Sequence, residues 1–379
     1  MKLLHSGDWH IRDSNIDDCR KCLQFLVDTA EKERVDLAII AGDCFDSRDI
    51  KLDSLSAKLI IKTISELADI CTIAVILGTP SHDGTAPEIL TFAKGKFSIT
   101  VAVKPMQVIL DGAVLTLIPT PTKQFFQTES GISESNAEIS QAMNGLFAGF
   151  GARAVEFDCP HILVGHWQVA GSIVSTGQTL TGHDIDIGFD QMMLANPDLI
   201  CLGHIHMPQK LGDRAFYSGS LYPLTWGELE AKGFYIHALD GKKLVESRFI
   251  ETPTRKLVRV QEDLVNEVEC KDFDMELVKG AYVRADYTVY QDEVSKIDKD
   301  QVTKFYKDFG AIDVDIRIIR IPRETIRAAS VLEAETLKDE FLEMAKLRGE
   351  DIDPETLSMA EQLETVPAEE LLKTITEAA

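Results

Sequence analysis

Five short stretches of the sequence place histidine and aspartate directly after apolar runs. These stretches are Asp8-Trp9-His10, Gly42-Asp43 with Asp46 three residues later, Ser81-His82-Asp83, Gly165-His166 and Gly203-His204-Ile205-His206. They contain five of the nine histidines in the chain. Imidazole and carboxylate groups without a thiolate are ligands that suit Mn²⁺, Fe²⁺ or Zn²⁺. The chemistry that these residue types predict is therefore that of a divalent-metal site.

The spacing within the stretches allows their side chains to face one site. In Asp8-Trp9-His10 and His204-Ile205-His206, the first and third side chains lie on the same side of a locally extended backbone. Two metal ions held a few ångströms apart need a shared anionic ligand, and such a pair clamps the attacking and leaving oxygens of a phosphoryl displacement. Asp43 is the natural candidate for the shared ligand.

The alternative is that each stretch is only a turn, because Gly-Asp and Gly-His pairs are frequent after strands. Buried histidine and aspartate side chains are unfavourable without partners, however. Five such turns at successive strand ends are hard to explain by core packing. We therefore expect the five turns to form one metal site.

Hydrophobic patterns predict the elements that position these turns. A buried strand is predicted immediately before each of the five stretches, and an amphipathic helix follows each of the first two strands. The predicted strands are Leu3–Ser6, Val35–Ala41, Cys71–Leu77, His161–Val164 and Asp198–Leu202, and the predicted helices are Cys19–Lys32 and Leu52–Leu67. Open α/β sheets place ligand sites at the carboxyl ends of their strands, so the five turns can converge on one cleft.

The sequence divides into three predicted regions. Residues 1–252 form an α/β domain that includes a polar insertion, partly helical, at Thr120–Gly151. Residues 253–325 alternate apolar and charged residues in three strand-like segments around one helix, which predicts a small α+β domain with one wet face. Residues 326–379 are predicted to be helical, at Val331–Arg348 and Glu355–Ala378.

Composition excludes several classes of protein. No apolar run approaches the roughly 20 residues that a membrane helix needs, and the N-terminus lacks the pattern of a secretion signal. We therefore expect a cytoplasmic protein with no membrane partner. Seven scattered cysteines argue against a disulfide framework. Cys19 and Cys22 form a CxxC pair, but both lie on the apolar face of a predicted helix, which indicates a structural role.

The net charge of −23 is unusual for a protein that binds nucleic acid through its own surface, because phosphate contacts favour basic proteins. Residues 330–379 contribute strongly, with 14 acidic and 4 basic residues. The predicted helices of this tail also carry apolar faces. These faces contain Ala334, Leu337, Phe341, Met344 and Ala345 in the first helix and Leu357, Ala360, Leu363, Leu371, Leu372 and Ile375 in the second. The tail either folds on its own domain or docks on a partner helix.

The motifs resemble those of the calcineurin-like metallophosphoesterases. More narrowly, they resemble the SbcD family, the nuclease subunits that act with the SbcC ATPase in DNA break repair. The matching segments are Leu3–His10, Ala41–Asp46, Leu202–His206, Tyr217–Ser220, Gly227-Glu228 and Lys232–Phe234, and the resemblance covers Met1 to about Ile250. It implies an α/β sandwich of two mostly buried sheets flanked by helices, followed by a small α+β cap domain and C-terminal helices.

The resemblance also implies two divalent metal ions, with Mn²⁺ expected and Mg²⁺, Fe²⁺ or Zn²⁺ as alternatives. One ion would be held by Asp8, His10, Asp43 and His206, and the other by Asp43, His166, His204 and the residue of the third motif. His82 matches the family's catalytic histidine, which assists the leaving oxygen or stabilises the transition state. Asp46 and Asp83 would orient their neighbours.

The third stretch departs from the family's pattern. The family has Gly-Asn-His-Asp, whose asparagine oxygen binds the second metal ion, whereas this chain has Gly78-Thr79-Pro80-Ser81-His82-Asp83. Ser81 thus replaces asparagine, and the loop is two residues longer. Ser81, a water molecule or His82 itself could fill the vacant ligand position. We expect an occupied but weaker second metal site, with Ser81 or water as its ligand.

These observations lead to the hypothesis of a Mn²⁺-dependent DNA phosphodiesterase, the nuclease subunit of an ATP-driven complex that acts on DNA ends. The resemblance implies that the C-terminal helices dock on the coiled coil of an SbcC-type ATPase, that the cap domain contacts DNA and that the chain forms a homodimer. A basic partner would supply phosphate contacts that the acidic chain lacks. The alternatives are a small-molecule phosphodiesterase or phosphatase on the same scaffold, and a catalytically weak scaffold subunit.

Overall fold

The computed structural model describes residues 1–122, 136–176, 187–265, 273–322 and 329–367. Its strands are β1 (Lys2–Ser6), β2 (Leu37–Ala41), β3 (Thr72–Ile76), β4 (Ile99–Ala102), β5 (Met106–Leu110), β6 (Ala113–Ile118), β7 (His161–His166), β8 (Leu199–Gly203), β9 (Gln209–Leu211), β10 (Ala215–Tyr217), β11 (Gly233–Asp240), β12 (Lys243–Glu251), β13 (Lys256–Asp263), β14 (Ala281–Tyr290) and β15 (Asp313–Ile321). Its α-helices are α1 (Ile16–Glu33), α2 (Leu55–Ala68), α3 (Asn136–Ala154), α4 (Phe189–Met193), α5 (Lys299–Asp308), α6 (Ala329–Leu332), α7 (Leu337–Arg348) and α8 (Pro354–Thr365).

Two six-stranded sheets are built from β1 to β12. The first has the order β12-β11-β1-β2-β3-β4, in which β1 to β4 are parallel. The second has the order β5-β6-β7-β8-β10-β9, in which β6, β7, β8 and β10 are parallel. Antiparallel strands complete the edges of both sheets. In each sheet the turns that follow the parallel strands therefore lie along one edge.

The two sheets pack against each other through one apolar core. Leu3, Ile39 and Ile76 of the first sheet and Leu115 and Val164 of the second are fully buried in it. Helices α1 and α2 cover the other face of the first sheet, and α3 and α4 cover the other face of the second. Because both faces of each sheet are covered, strands β2, β3 and β8 contain almost no polar residue. The predicted sandwich of two buried sheets flanked by helices is confirmed.

The first two helices agree with their hydrophobic patterns. Cys19 and Cys22 lie fully buried on the inner face of α1, and burial raises the pKa of the Cys22 thiol to about 12. Both thiols are therefore poor nucleophiles, which agrees with the predicted structural role. Helix α2 begins three residues later than predicted, because Ser54 is its N-cap and its hydroxyl accepts a hydrogen bond from the amide of Ala57 at 3.1 Å.

A third sheet has three strands in the order β13-β14-β15. Strand β14 buries Val283 and Ala285 and leaves Tyr282 and Arg284 half-buried, which agrees with the predicted wet face. The chain divides into two compact units, residues 1–287 with 297–318 and residues 288–296 with 319–379. The domain boundaries that we expect at residues 252 and 325 stay predictions.

The second unit contains helices α7 and α8, which pack together as an antiparallel pair. Lys338 near the start of α7 forms an ion pair with Glu361 near the end of α8 at 3.1 Å. The predicted break between the helices is confirmed, since α7 ends before Gly349 in a left-handed conformation (φ 67°) and α8 begins at Pro354. Leu371, Leu372 and Ile375 of the predicted tail lie outside the described residues, as do residues 123–135 of the predicted insertion.

Within the described part of the chain, no helix combines the length and the apolar character that crossing a membrane requires.

Candidate metal centre

The five predicted turns lie together where the two sheets meet. The ring of His166, at the end of β7 in the second sheet, donates a hydrogen bond from Nδ1 to the carbonyl of Ala41 in the first sheet at 2.7 Å. The amide of His204, which follows β8, donates to Oδ1 of Asp8 at 2.8 Å. These bonds join turns that lie more than a hundred residues apart in sequence. The prediction that the turns converge is therefore confirmed.

Backbone strain is concentrated at this site. Asp8, His10, Asp43 and His204 all have positive φ, at 51°, 41°, 50° and 94°. A non-glycine residue in this region costs of order 1–3 kcal/mol, and such residues persist only where the surroundings hold them. Here the amides of Asp8 and His10 bond to the carbonyls of Gly42 and Asp43 at 3.0 and 2.9 Å. The first two turns thus hold each other in the conformation that aims their side chains inward.

Close packing explains the glycine that begins the third turn. A Cβ atom at Gly78 would lie 2.2 Å from both the amide nitrogen and Oδ1 of Asp43, too close for any side chain. The backbone of the third turn therefore lies directly against the Asp43 carboxylate. This contact is what brings the residues after Gly78 to the metal-binding residues.

Asp43 lies at the centre of the cluster. Its Oδ2 is 3.6 Å from Nε2 of His10 and 3.2 Å from Nε2 of His166. Two sets of potential ligand atoms each lie within 4.8 Å of one another, namely Asp8 with His10 and His206, and Asp8 with Asp43 and His166. One carboxylate oxygen that faces a histidine on either side is the arrangement expected of a bridging ligand. The assignment of each side chain to one of two ions stays a prediction.

The cluster fits a divalent cation. Asp8, His10, Asp43 and His166 are at most 2% exposed. Among the described residues, Oδ2 of Asp8 and Nε2 of His10 are buried without a hydrogen-bond partner. Such groups are unfavourable in a protein interior unless a partner satisfies them. Carboxylate oxygens and imidazole nitrogens that point at a common space would be satisfied by a bound cation.

Burial and mutual contacts set the charges of these groups. Burial alone would raise the pKa of Asp43, but its histidine neighbours, His166 first among them, hold it well below its ordinary value. Burial likewise opposes protonation of His166, yet the Asp43 carboxylate raises the pKa of His166 to about 9. Burial lowers the pKa of His204 to about 3, so that this ring is neutral. His166 must lose a proton before its Nε2 can ligate a cation.

His82 lies at the rim of the cluster, half-exposed. Its Nδ1 donates to the backbone carbonyl of Asp46 at 3.0 Å, and its ring centre lies 4.5 Å from that of His10. Because Nδ1 is the donor, Nε2 is the ring nitrogen that can exchange a proton with a substrate. His82, His10 and Asp46 also form a third set of potential metal ligands. The catalytic role of His82 stays a prediction.

Asp83 and Asp46 support the turns around them. Asp83 is fully buried, and its two carboxylate oxygens accept hydrogen bonds from the amides of Phe45 and Gly78 at 3.0 and 2.8 Å. Burial, followed by the nearby Asp43 carboxylate, raises the pKa of Asp83 to about 7. Asp83 therefore ties the third turn to the second, while Asp46 contacts His82 through its carbonyl. The positions of both residues agree with the orienting roles that the sequence predicts.

The structure does not bring Ser81 to the cluster with the other predicted ligands. Ser81 is exposed at the tip of the turn, and its carbonyl accepts a hydrogen bond from the amide of Arg48 at 3.3 Å. Thr79, two residues earlier, instead faces the metal-binding residues. Its amide donates to Oδ1 of Asp43 at 2.6 Å. The insertion of two residues moves Ser81 outward, because the turn is anchored at Gly78.

One pair of charged residues at the site has no role in the sequence-based prediction. Glu228 accepts a hydrogen bond from Nδ1 of His206 at 3.2 Å through one oxygen and pairs with Lys232 at 2.7 Å through the other. Lys232 also donates to the carbonyl of His206 at 3.0 Å. Glu228 and Lys232 are almost completely buried. The sequence did contain a signal for this pair. Glu228 and Lys232 are four residues apart, and both lie in segments that resemble the SbcD family.

Replacement of Glu228 by glutamine is expected to weaken Mn²⁺ binding by about 10- to 100-fold, the usual effect of losing a carboxylate that orients a ligating histidine. The carboxylate fixes the tautomer of His206 in which Nδ1 is protonated. Glu230→Gln is the matched control, because Glu230 contacts Lys232 at 2.7 Å. Titration of Mn²⁺ by calorimetry measures the effect. Equal affinity in both variants would show that Glu228 does not act through His206.

Two other histidines, His5 and His237, lie next to each other in the core. Their ring nitrogens have hydrogen-bond partners within the protein. His5 and His237 are fully buried, with Nδ1 of His5 3.5 Å from Nε2 of His237. Nε2 of His5 donates to the carbonyl of Leu202 at 3.1 Å, and Nδ1 of His237 contacts the hydroxyl of Ser247 at 2.8 Å. Burial lowers the pKa of His5 to about 3. These are neutral core histidines with their hydrogen bonds made within the protein.

Comparison with known proteins agrees with this site. A family model described as calcineurin-like phosphoesterase matches residues 1–208. The SbcD subunit of the SbcCD nuclease from Staphylococcus epidermidis is 23% identical over 285 residues, covering 70% of this chain and 75% of the relative. The protein of the same name from Staphylococcus saprophyticus is 26% identical over 288 residues, covering 70% of this chain and 74% of the relative. The resemblance predicted from the sequence is confirmed.

Among solved structures, a dimetal phosphatase from Danio rerio is 12% identical, with a TM-score of 0.41, and the match covers 66% of this chain and 99% of that protein. The family model carries more weight, because it spans more than half of the chain and includes all five metal-site turns. The chain belongs to the calcineurin-like phosphoesterase family.

Proposed function

We propose that this protein is a metal-dependent DNA nuclease and that it acts as the nuclease subunit of an SbcC-SbcD-type complex. The observation that carries the proposal is the buried cluster of histidines and carboxylates around Asp43, with unsatisfied atoms on Asp8 and His10. Membership of a phosphoesterase family and similarity to nuclease subunits support hydrolysis of phosphodiester bonds. Mn²⁺ is the expected ion, with Mg²⁺, Fe²⁺ or Zn²⁺ as alternatives.

Bound divalent cations would supply the Lewis acidity that activates water and neutralises the charge of the phosphate. The chain's own groups position the reaction. Asp8, Asp43 and the buried histidines would fix the cations, with Asp43 between them. His82, half-exposed at the rim, would donate a proton from Nε2 to the leaving oxygen as the P–O bond breaks. Its bond to the carbonyl of Asp46 keeps one proton on Nδ1, so the proton given to the leaving oxygen is a second one, carried on Nε2 of the imidazolium form.

A surface rich in arginine and aromatic side chains supports DNA as the substrate. The guanidinium of Arg284 lies 4.8 Å from the centre of the Trp226 ring, and that of Arg255 lies 5.9 Å from the Tyr282 ring. Trp226 precedes Glu228, the partner of His206, by two residues in the sequence. Arginine and aromatic groups bind phosphates and stack on bases. Both arginines also pair with carboxylates, Arg284 with Asp315 and Arg255 with Asp18, so their charges are partly offset.

The C-terminal helices support docking on a partner. Leu342 and Leu347 of α7 and Met359 and Leu363 of α8 are 43%, 54%, 58% and 62% exposed. A helix pair that leaves large apolar residues uncovered fits a helical partner. The curated relatives are named as subunits of SbcCD nucleases, and we propose the coiled coil of an SbcC-type ATPase as the partner. Homodimer formation and a cytoplasmic location complete the proposal.

Removal of divalent cations is expected to abolish hydrolysis, because every proposed step depends on the metal site. The chain is stripped with a chelator, dialysed and assayed on a short end-labelled DNA duplex and on bis-p-nitrophenyl phosphate. Addition of Mn²⁺ should restore cleavage of both substrates, and a coiled-coil ATPase partner should increase DNA cleavage further.

Other outcomes of this assay would favour the alternatives. Turnover of the dye with no DNA cleavage, even with the partner present, would favour a small-molecule phosphodiesterase, which the net charge of −23 also suits. Binding of Mn²⁺ without turnover of either substrate would favour a scaffold subunit. Hydrolysis that survives complete metal removal would overturn the metal-dependent mechanism.

A further inference from the structure

The hydroxyl of Thr79 lies between two proposed ligands of the second metal ion. Its Oγ1 is 3.1 Å from Oδ2 of Asp43 and 3.3 Å from Nε2 of His166. Those two atoms are themselves only 3.2 Å apart. The three atoms therefore surround one position on the His166 side of the bridging carboxylate.

The backbone holds Thr79 in this place from both sides. Its amide donates to Asp43, and its carbonyl accepts hydrogen bonds from the amides of His82 and Asp83, each at 2.9 Å. The preceding Gly78 donates to the buried carboxylate of Asp83 at 2.8 Å. Residues 79–83 thus form one tight turn whose start, rather than its tip, faces the cluster. The position of Thr79 follows from these bonds and does not depend on the side chain of Ser81.

We propose that the Thr79 hydroxyl, and not Ser81, is the third-motif ligand of the second metal ion, together with Asp43, His166 and His204. The inference rests on the metal site of the proposed function but not on the nuclease activity. It replaces the expectation that Ser81 or water serves as the ligand. Thr79 is the first residue after Gly78, so the ligand lies where asparagine stands in the family's Gly-Asn-His-Asp.

The chemistry of a hydroxyl group suits this role. One lone pair of Oγ1 can bind a cation, while the hydroxyl hydrogen points away from that cation. A neutral hard oxygen is acceptable to Mn²⁺ or Mg²⁺ and poorly suited to softer ions. Thr79 is only partly buried, whereas Asp8, His10 and Asp43 are almost completely buried.

The test measures Mn²⁺ binding directly, by calorimetry with chelator-buffered metal and by the magnetic coupling between two bound Mn²⁺ ions in electron paramagnetic resonance. The variants are Thr79→Val, which keeps the shape and the amide bond to Asp43, Thr79→Ser, which keeps the hydroxyl, and Ser81→Ala. Thr79→Val should lower the affinity for the second Mn²⁺ ion by about tenfold or more and remove the signal of magnetic coupling between the two ions. Its affinity for the first ion should not change. Thr79→Ser and Ser81→Ala should bind like the wild type.

The competing outcomes are distinct. Loss of the second ion in Ser81→Ala, with normal binding in Thr79→Val, would overturn the proposal. An equal loss of both ions in Thr79→Val would also overturn it, because a hydroxyl that only supports the shared Asp43 must affect both. A wild-type chain that binds two ions but does not cut DNA would refute the nuclease function and leave the Thr79 result valid. Melting temperatures of the variants exclude unfolding as the cause.

Discussion

Replacement of Asp43 by alanine is expected to abolish phosphodiester hydrolysis, lowering kcat/KM by about 10⁴-fold or more, which corresponds to about 5.5 kcal/mol of transition-state stabilisation. The effect is large because Oδ2 of Asp43 faces His10 at 3.6 Å and His166 at 3.2 Å. Loss of the shared carboxylate removes the one anionic group that both proposed ions would contact. The two adjacent cations would then repel each other with one carboxylate fewer to offset the repulsion.

A second variant, Asp43→Asn, separates the effect of the negative charge from that of the side-chain shape. Asp43→Asn keeps the size of the side chain and an oxygen that can accept from the amide of Thr79, so it should remain folded but bind Mn²⁺ poorly. Asp49→Ala is the control, because Asp49 is an exposed carboxylate on the same turn. Metal content per chain and hydrolysis of bis-p-nitrophenyl phosphate are measured for each variant. An Asp43→Ala protein that retains both ions would show that the cluster is organised around another residue.

The sequence alone predicts most of the fold because its strands are buried on both faces. Runs such as Leu37–Ala41 and Thr72–Ile76 consist mostly of apolar residues, and the predicted ends of the central strands differ from the observed ones by one or two residues. Strand β9 was not predicted, since its three residues carry no apolar pattern. Local hydrophobic patterns also do not predict the order of strands within each sheet, because that order depends on crossover connections between distant segments.

The sequence predicts the metal-site turns because residue types report chemistry. It does not predict that Thr79, rather than Ser81, lies beside Asp43, because residue types do not report loop conformation. Ser81 stands directly before His82, where the family has asparagine. Its position in the sequence therefore favoured Ser81 as the predicted ligand. The position of Thr79 is set by hydrogen bonds that it donates to Asp43 and accepts from the amides of His82 and Asp83, which depend on tertiary structure. Likewise, the positive φ of Asp8 and His10 could not be predicted, because neither is glycine and the strain is held by the second turn.

Net charge is a weak guide to the proposed substrate for a similar reason. The value of −23 is a sum over the whole chain, and the tail accounts for a large share of it. Electrostatic attraction in salt solution acts over about 8–10 Å, so the charges near the metal centre decide whether a phosphate backbone can approach. Arg255 and Arg284 belong to the same compact unit as the cluster around Asp43, and each contacts an aromatic ring.

Replacement of His82 by alanine is expected to lower DNA cleavage by about 10²- to 10⁴-fold while both Mn²⁺ ions stay bound, as is usual when a general acid is removed. The ring is half-exposed, and its Nδ1 is fixed by the carbonyl of Asp46 at 3.0 Å, so Nε2 is free to protonate the leaving oxygen. A DNA alkoxide is a poor leaving group and needs that proton. p-Nitrophenolate is a stable anion and does not.

The comparison of the two substrates therefore distinguishes the possible roles of His82. A general acid predicts a large loss on DNA and a loss within about tenfold on bis-p-nitrophenyl phosphate. Stabilisation of the transition-state charge predicts similar losses on both. If His82→Ala instead loses a bound Mn²⁺ ion, then His82 is a ligand in the set it forms with His10 and Asp46. Ser81→Ala is the matched control, since Ser81 precedes His82 on the exposed tip of the same turn and should behave like the wild type in both assays.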